Sequence, residues 1–316
     1  MRSRKTARAS RRTVLIALGA NATVTVAKLA GGLVSGSAAL LAEAAHSTAD
    51  TGNQLFLLVS IALAAREPTP EQPFGYGRMR FLWTFMAAVA MFLAGAIFAI
   101  GYGAYRLVSS IQSGGYLAAY VALGIAVLAE GASWIRALRQ TRNEAGQAKL
   151  PLVEYVRQSR DPNVKMVLFE DTAALLGIAV AFAGVLAGQL TGSSVFDPAA
   201  SIAIGLLLVG VAALMGHDTS ELLVGAAARP AERAAIERTL NEYDQIDQVI
   251  EVLTMVLGAN ALLVVARVDF ATGLAEEEIE QASSAIDRRL REVVPDVTEV
   301  FLDATTATAG NTGRNP

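Results

Sequence analysis

Six long apolar runs dominate the first 216 residues of this 316-residue chain. A helix needs about 20 mostly apolar residues to cross a bilayer, and each run reaches that length. The runs lie at about 13–35, 38–64, 81–105, 116–136, 166–190 and 196–216. The whole chain, with 53% hydrophobic and 17% charged residues, is too apolar for an ordinary soluble protein. We therefore predict an α-helical membrane protein with six transmembrane helices.

Basic residues are concentrated in alternate connections between these runs. They are frequent in residues 1–12, in the connection after the second run and in the longer connection at 137–164, but almost absent from the others. Basic loops stay on the cytoplasmic side of a membrane. Both termini are therefore predicted to be cytoplasmic. We expect an integral protein of the cell (inner) membrane of a prokaryote.

The last hundred residues have a different pattern, in which charged and apolar positions alternate. A helix beginning near Pro230 is followed by two β-branched runs that meet at Gly258, a hairpin signal. An amphipathic helix and a last strand complete an α-β-β-α-β order, typical of a small α+β sandwich. The predicted organisation is a basic, disordered tail at 1–12, a transmembrane domain at 13–216, a cytoplasmic domain at 217–304 and a disordered tail at 305–316.

The composition excludes several kinds of chemistry. The chain has no cysteine, which rules out disulfides, thiolate metal sites and thiol catalysis. It has only two histidines, so a histidine-rich metal cluster is also excluded. We expect no prosthetic group and no nucleic-acid partner.

His46 and Asp50 are the leading candidates for a functional site. They are four residues apart inside the second apolar run, so a helix places them on the same face. Ionisable groups are costly at membrane depth and usually mark a functional site there. An imidazole and a carboxylate so placed can converge on one divalent cation. The alternative is a histidine–aspartate hydrogen bond that only fixes helix packing.

Glu170 and Asp171 form a second acidic centre near the start of the fifth run. Adjacent helical residues point about 100° apart, so the two cannot approach one ion from the same direction. Asp171 could be a ligand while Glu170 ligates from the flank or relays protons. The alternative is that both are solvated at the start of a helix.

The remaining acids of the apolar half have less specific interpretations. Glu130 could pair with Lys28, the one base well inside an apolar run, and Glu43 could line an entrance to the site. Asp197 precedes Pro198 and a new apolar run, which favours a role in capping that helix.

Several motifs together resemble the cation diffusion facilitator family of divalent-metal/proton antiporters. The run from Gly36 to Asp50 is similar to the family's signature with its HxxxD, and Phe74–Arg78 reads FGYGR, like a cytoplasmic motif of the family. The run from Asp197 matches the usual opening of the sixth span. The resemblance covers about 13–304.

The resemblance implies that His46 and Asp50 are two ligands of a tetrahedral metal site completed by the fifth span. Asp171 matches the aspartate of the family's second HxxxD, whereas Val167 stands at the histidine position. Glu170 is the nearby substitute. This arrangement looks like a branch of the family that includes mitochondrial and nuclear zinc-transporter-like members.

The implied function is efflux of a divalent cation, zinc first, in exchange for protons. The C-terminal domain resembles the family's metallochaperone-like dimerisation domain, which implies a homodimer. The resemblance implies a secondary transporter and no enzyme activity. One alternative is a manganese, iron or cobalt exporter of broader specificity. Another is a membrane scaffold that transports nothing. An intramembrane hydrolase lacks a nucleophile motif.

Overall fold

The computed structural model describes residues 2–109, 111, 113–147, 149–158 and 162–305. The chain divides into two compact units. The first comprises the chain up to Ala62 and Phe81–Ser220, and the second comprises Leu63–Arg80 and the chain from Glu221 on. The elements of the described part are α1 (Arg2–Ser35), α2 (Ala38–Ala64), α3 (Met79–Ser109), α4 (Tyr116–Gln147), α5 (Leu152–Gln158), α6 (Pro162–Thr191), α7 (Phe196–Val224), α8 (Pro230–Asn241), β1 (Ile246–Gly258), β2 (Ala261–Phe270), α9 (Glu276–Val293) and β3 (Val297–Ala304).

Four helices in the described ranges are long and apolar enough to cross a membrane. They are α3, α4, α6 from Leu168 on, and α7. Helix α2, with 27 residues, carries Glu43, His46 and Asp50 along its length. For residues 2–17 of α1, only the backbone belongs to the described part. The chain is thus a membrane protein with at least these four spans, and α1 and α2 are the two further predicted ones.

Two predicted segments differ from the structure. Helix α1 begins at Arg2, so residues 2–12 are helical, not a disordered tail. They contain neither proline nor glycine and are rich in alanine, arginine and lysine, which favour helix. Helix α4 likewise runs on to Gln147, since alanine, arginine and glutamine in this stretch favour helix, and the connection predicted at 137–164 contains α5. The predicted C-terminal tail lies outside the described residues from 306 on.

Small residues allow the helices of the first unit to pack closely. Helix α4 packs against α1 and α6. At Gly103 on α3, a β-carbon would lie 2.8 Å from the carbonyl oxygen of Pro198 on α7. At Gly205 on α7, it would lie 2.5 Å from the Ile100 side chain of α3. Such glycines let the backbones of membrane helices approach one another.

The second unit confirms the predicted α-β-β-α-β order from α8 to β3. Strands β1 and β2 are antiparallel and are joined by a two-residue turn between Gly258 and Ala261. Strand β3 pairs parallel to β2, with α9 as the crossover. Helix α8 packs on β1 and α9 on β3. The buried core includes Ile236, Leu240, Val252, Leu262, Val264, Ala266, Ile286 and Leu290.

The opposite face of this sheet is open. Leu253, Val265 and Phe301 form one cross-strand row, in which Leu253 and Phe301 are 42% and 50% exposed. In a neighbouring row, Arg267 bridges Glu251 and Asp303, each at 3.1 Å. The face therefore presents apolar side chains beside ion pairs.

Candidate metal site

Helix α2 presents three polar side chains on one buried face. His46, Asp50 and Asn53 are 1%, 4% and 3% exposed. The spacings of four and three residues keep them within one stripe of the helix. His46 Nε2 lies 3.4 Å from Asp50 Oδ2, close enough for an ion pair but without hydrogen-bond geometry. The ring of His46 packs near that of Phe92 on α3, with centroids 6.0 Å apart.

Helix α6 places Glu170 opposite this stripe. Asn53 Nδ2 donates a hydrogen bond of 3.1 Å to Glu170 Oε2. The carboxyl groups of Asp50 and Glu170 lie close enough to interact. Two carboxyl groups so close in a buried place need a proton or a cation between them. The structure therefore brings His46, Asp50 and Glu170, three of the four predicted ligands, to one region between α2 and α6.

Asp171, the fourth predicted ligand, faces a different helix. Its side chain interacts with Ser133 and with Arg136, both on α4. The turn of about 100° between neighbouring helical residues separates it from Glu170. The side chain of Val167, at the histidine position of the family motif, lies outside the described residues. Of the two acids, Glu170 is the one aimed at α2.

Several buried polar atoms of this region lack hydrogen bonds. Among the described residues, both ring nitrogens of His46, Oδ1 of Asp50 and Oε1 of Glu170 have no hydrogen-bond partner. Buried polar atoms are usually paired, so such a group of orphaned atoms calls for a ligand or water. No set of three or more histidine or carboxylate side chains in the described ranges is already gathered tightly enough to hold an ion. Binding at this site thus requires the side chains to close in.

A buried ion cluster lies beside the stripe. Lys28 Nζ on α1 is 3.0 Å from Glu43 Oε2 and 3.4 Å from Glu130 Oε1, and it donates a 2.7 Å hydrogen bond to Ser47 Oγ. The predicted pairing of Glu130 with Lys28 is present. Glu43 does not line an entrance as predicted, since it is fully buried and bound to Lys28.

Asp197 caps a helix, but not the one predicted. From the start of α7, it accepts hydrogen bonds from Ala38 N at 2.6 Å and from Ser37 Oγ, at the beginning of α2. It also accepts one from Ser113 Oγ at 3.0 Å. The first backbone N–H groups of α2 have no acceptor within the helix, so another span supplies it.

Sequence reasoning missed Asn53. Its position seven residues after His46 and three after Asp50 was a usable signal, because that spacing continues the same helix face. Asn53 carries no charge, so it was not among the predicted site residues, although its hydrogen bond connects α2 to Glu170.

The chain is similar to known metal transporters. The family model described as the cation efflux transmembrane domain matches residues 14–224. A proton-coupled zinc antiporter, SLC30A9, mitochondrial, of Xenopus laevis is 31% identical over 257 residues, covering 81% of this chain and 46% of that protein. Metal tolerance protein C4 of Arabidopsis thaliana is 31% identical over 261 residues, covering 83% and 57%.

A bacterial protein is also similar. The zinc transporter ZitB of Escherichia coli (strain K12) is 26% identical over 254 residues, covering 80% of this chain and 75% of that protein. The chain spans about half the length of the first two relatives. These relatives are metal transporters, not enzymes. With a family model that matches two thirds of its length, the chain belongs to the cation diffusion facilitator family.

Proposed function

We propose that this chain exports a divalent cation, zinc first, from the cytoplasm in exchange for protons. The observation that carries the proposal is the buried meeting of His46, Asp50 and Glu170 between α2 and α6, with unpaired acceptor atoms on all three. Asp171 is the proposed fourth ligand, and it reaches the ion by leaving Ser133. The names of the zinc-transporting relatives support zinc as the cargo.

The chemistry of these groups supports proton exchange. Metal binding requires a neutral imidazole and ionised carboxylates, so protons and metal compete for the same atoms. Zinc is usually held by four nitrogen, oxygen or sulfur ligands. Metal entering from the cytoplasm displaces protons, and protons from the other side displace the metal. His46 is the one imidazole among the proposed ligands, and an imidazole can exchange a proton for the metal, which makes it the proposed exchanging group.

A broader cargo is the second candidate. One imidazole nitrogen with carboxylate oxygens from Asp50 and Glu170 is an oxygen-rich donor set, which widens tolerance toward manganese, iron and cobalt. Competition among these metals for zinc transport tests the two cargo assignments. A tenfold preference for manganese over zinc would favour the second.

The proposed architecture is a homodimer with six spans and cytoplasmic termini, in the cell membrane of a prokaryote. The alternating basic connections support the topology. The open sheet face with Leu253, Val265 and Phe301 supports dimerisation through the C-terminal domain, because exposed apolar rows mark interaction surfaces. Val265→Glu tests this interface through the mass of the particle in detergent, and an unchanged dimer would contradict it.

Zinc flux into proteoliposomes with an imposed pH gradient tests the proposed function. His46→Ala and Asp50→Asn are expected to abolish the flux while leaving the dimer intact. Thr48→Ala is the matched control, since Thr48 lies on the same helix but is exposed. Undiminished flux in both site variants would rule out this site.

A further inference from the structure

The Lys28 cluster has the composition of a filled cation site. The ammonium group is completely buried, and its three N–H donors face three oxygen acceptors. The acceptors come from two other helices, with Glu43 and Ser47 on α2 and Glu130 on α4. Carboxylate and hydroxyl oxygens at 2.7–3.4 Å surround the positive charge. Hard metal cations take the same kinds of ligand.

The cluster contains more acidic groups than basic ones. Glu43 and Glu130 are two acids for one base. Glu43 Oε1 is fully buried and has no hydrogen-bond partner among the described residues. It lies against Gly177 on α6, where any β-carbon would collide with it. A buried ion pair of this kind is weak evidence for a purely stabilising role, because desolvation offsets the attraction.

We propose that Lys28 is a tethered cation that occupies a second ion site, built from Glu43, Ser47 and Glu130, and keeps a free metal ion out of it. The cluster shares no residue with the proposed transport site. Lys28 thereby limits each protomer to one divalent ion in the bundle. Without the ammonium group, the two carboxylates attract a divalent cation of the hard, oxygen-preferring class.

The geometry requires only a small adjustment for this exchange. Oxygen ligands of magnesium and calcium lie about 2.0–2.6 Å from the ion. The acceptors of Lys28 Nζ lie at 2.7–3.4 Å, so they close in by at most about 1.4 Å. Removing the lysine side chain also opens the volume in which the ion and a water molecule fit. Manganese is the suitable probe, because it prefers oxygen ligands and is visible by electron paramagnetic resonance.

The test compares manganese bound per protomer in full-length protein purified in detergent. The transport site is first silenced by His46→Ala and Asp50→Asn, so that the count does not depend on the proposed function. In this background, Lys28→Ala is expected to bind one manganese ion that the protein with Lys28 does not bind. The matched control adds Glu43→Gln and Glu130→Gln to Lys28→Ala and is expected to lose that ion.

A second measurement tests the proposal even if the lysine variant folds poorly. Lys28→Ala leaves two buried acids without a cation, so its thermal unfolding midpoint is expected to fall and to recover with manganese or methylammonium. The neutral control variant should not respond to either cation. An unchanged manganese count in Lys28→Ala would overturn the proposal. So would a Lys28→Ala protein that neither cation recovers, because the cavity then accepts no free cation.

Discussion

Asn53 on α2 and Glu170 on α6 are joined by a hydrogen bond of 3.1 Å from Nδ2 to Oε2. The bond orients the carboxyl group that faces Asp50 across the two helices. Both side chains are buried, so water does not readily replace either partner. Partners that orient metal ligands commonly affect metal affinity as strongly as some ligands do.

Asn53→Ala is therefore expected to weaken zinc binding by about 10- to 100-fold without unfolding the protein. Isothermal titration in detergent measures the affinity, and proteoliposome flux measures the consequence for transport. Thr48→Ala, on the exposed side of α2, should leave both unchanged. Wild-type affinity in Asn53→Ala would show that Glu170 needs no such support.

The two acids of α6 are expected to differ in importance. Glu170 already faces Asp50, whereas Asp171 must leave Ser133 to reach the same place. Glu170→Gln is thus expected to lower zinc affinity more than Asp171→Asn does. Titrations of the two isosteric variants compare them directly. The reverse order would mean that Asp171, once it has left Ser133, holds the ion more strongly than Glu170 does.

Zinc affinity is expected to fall as the pH falls. The dissociation constant rises up to about tenfold per pH unit for each proton that the ion displaces. His46→Gln should reduce this slope by one proton if the imidazole is the exchanging group. His217→Ala is the control, because His217 is the only other histidine and lies exposed on α7. The same slope in both variants would exclude His46 as an exchanging group.

Gly177→Ala is expected to destabilise the membrane unit. The new β-carbon would meet the carboxyl group of Glu43, which Lys28 holds in place. Overpacking of this kind typically costs about 1–3 kcal/mol. Gly124→Ala, on α4 where a β-carbon meets open space, should have no such cost. Thermal unfolding in detergent distinguishes them, and equal midpoints would show that Glu43 can move aside.

Local patterns predicted the C-terminal unit well. The hairpin turn at Gly258 and the helix start at Pro230 depend on residues adjacent in sequence, and the structure has both. The apolar runs likewise predicted α3, α6 and α7 to within a few residues at most ends. The exception is the end of α7, which lies at Val224 and not at 216.

Long-range contacts could not be derived from such patterns. Lys28 and Glu130 are separated by 102 positions, and only the packing of α1 against α4 brings them together. The cap that Asp197 provides for α2 spans 159 positions. The orientation of Asp171 toward Ser133 depends on how α6 is rotated about its own axis. Apolar residues are spread evenly around this helix, so the sequence does not determine that rotation.

The cap from Asp197 fixes the start of α2, so that the helix can rotate only about that end. A tilt that drew Ala38 away from α7 would break the hydrogen bonds that Asp197 accepts from Ser37 Oγ and Ala38 N at once, so the start of α2 is the costly end to move. The helix extends about 40 Å from that point, and His46 lies about 12 Å along it. If α2 rotates about this end, His46 therefore moves roughly a third as far as Ala64 does.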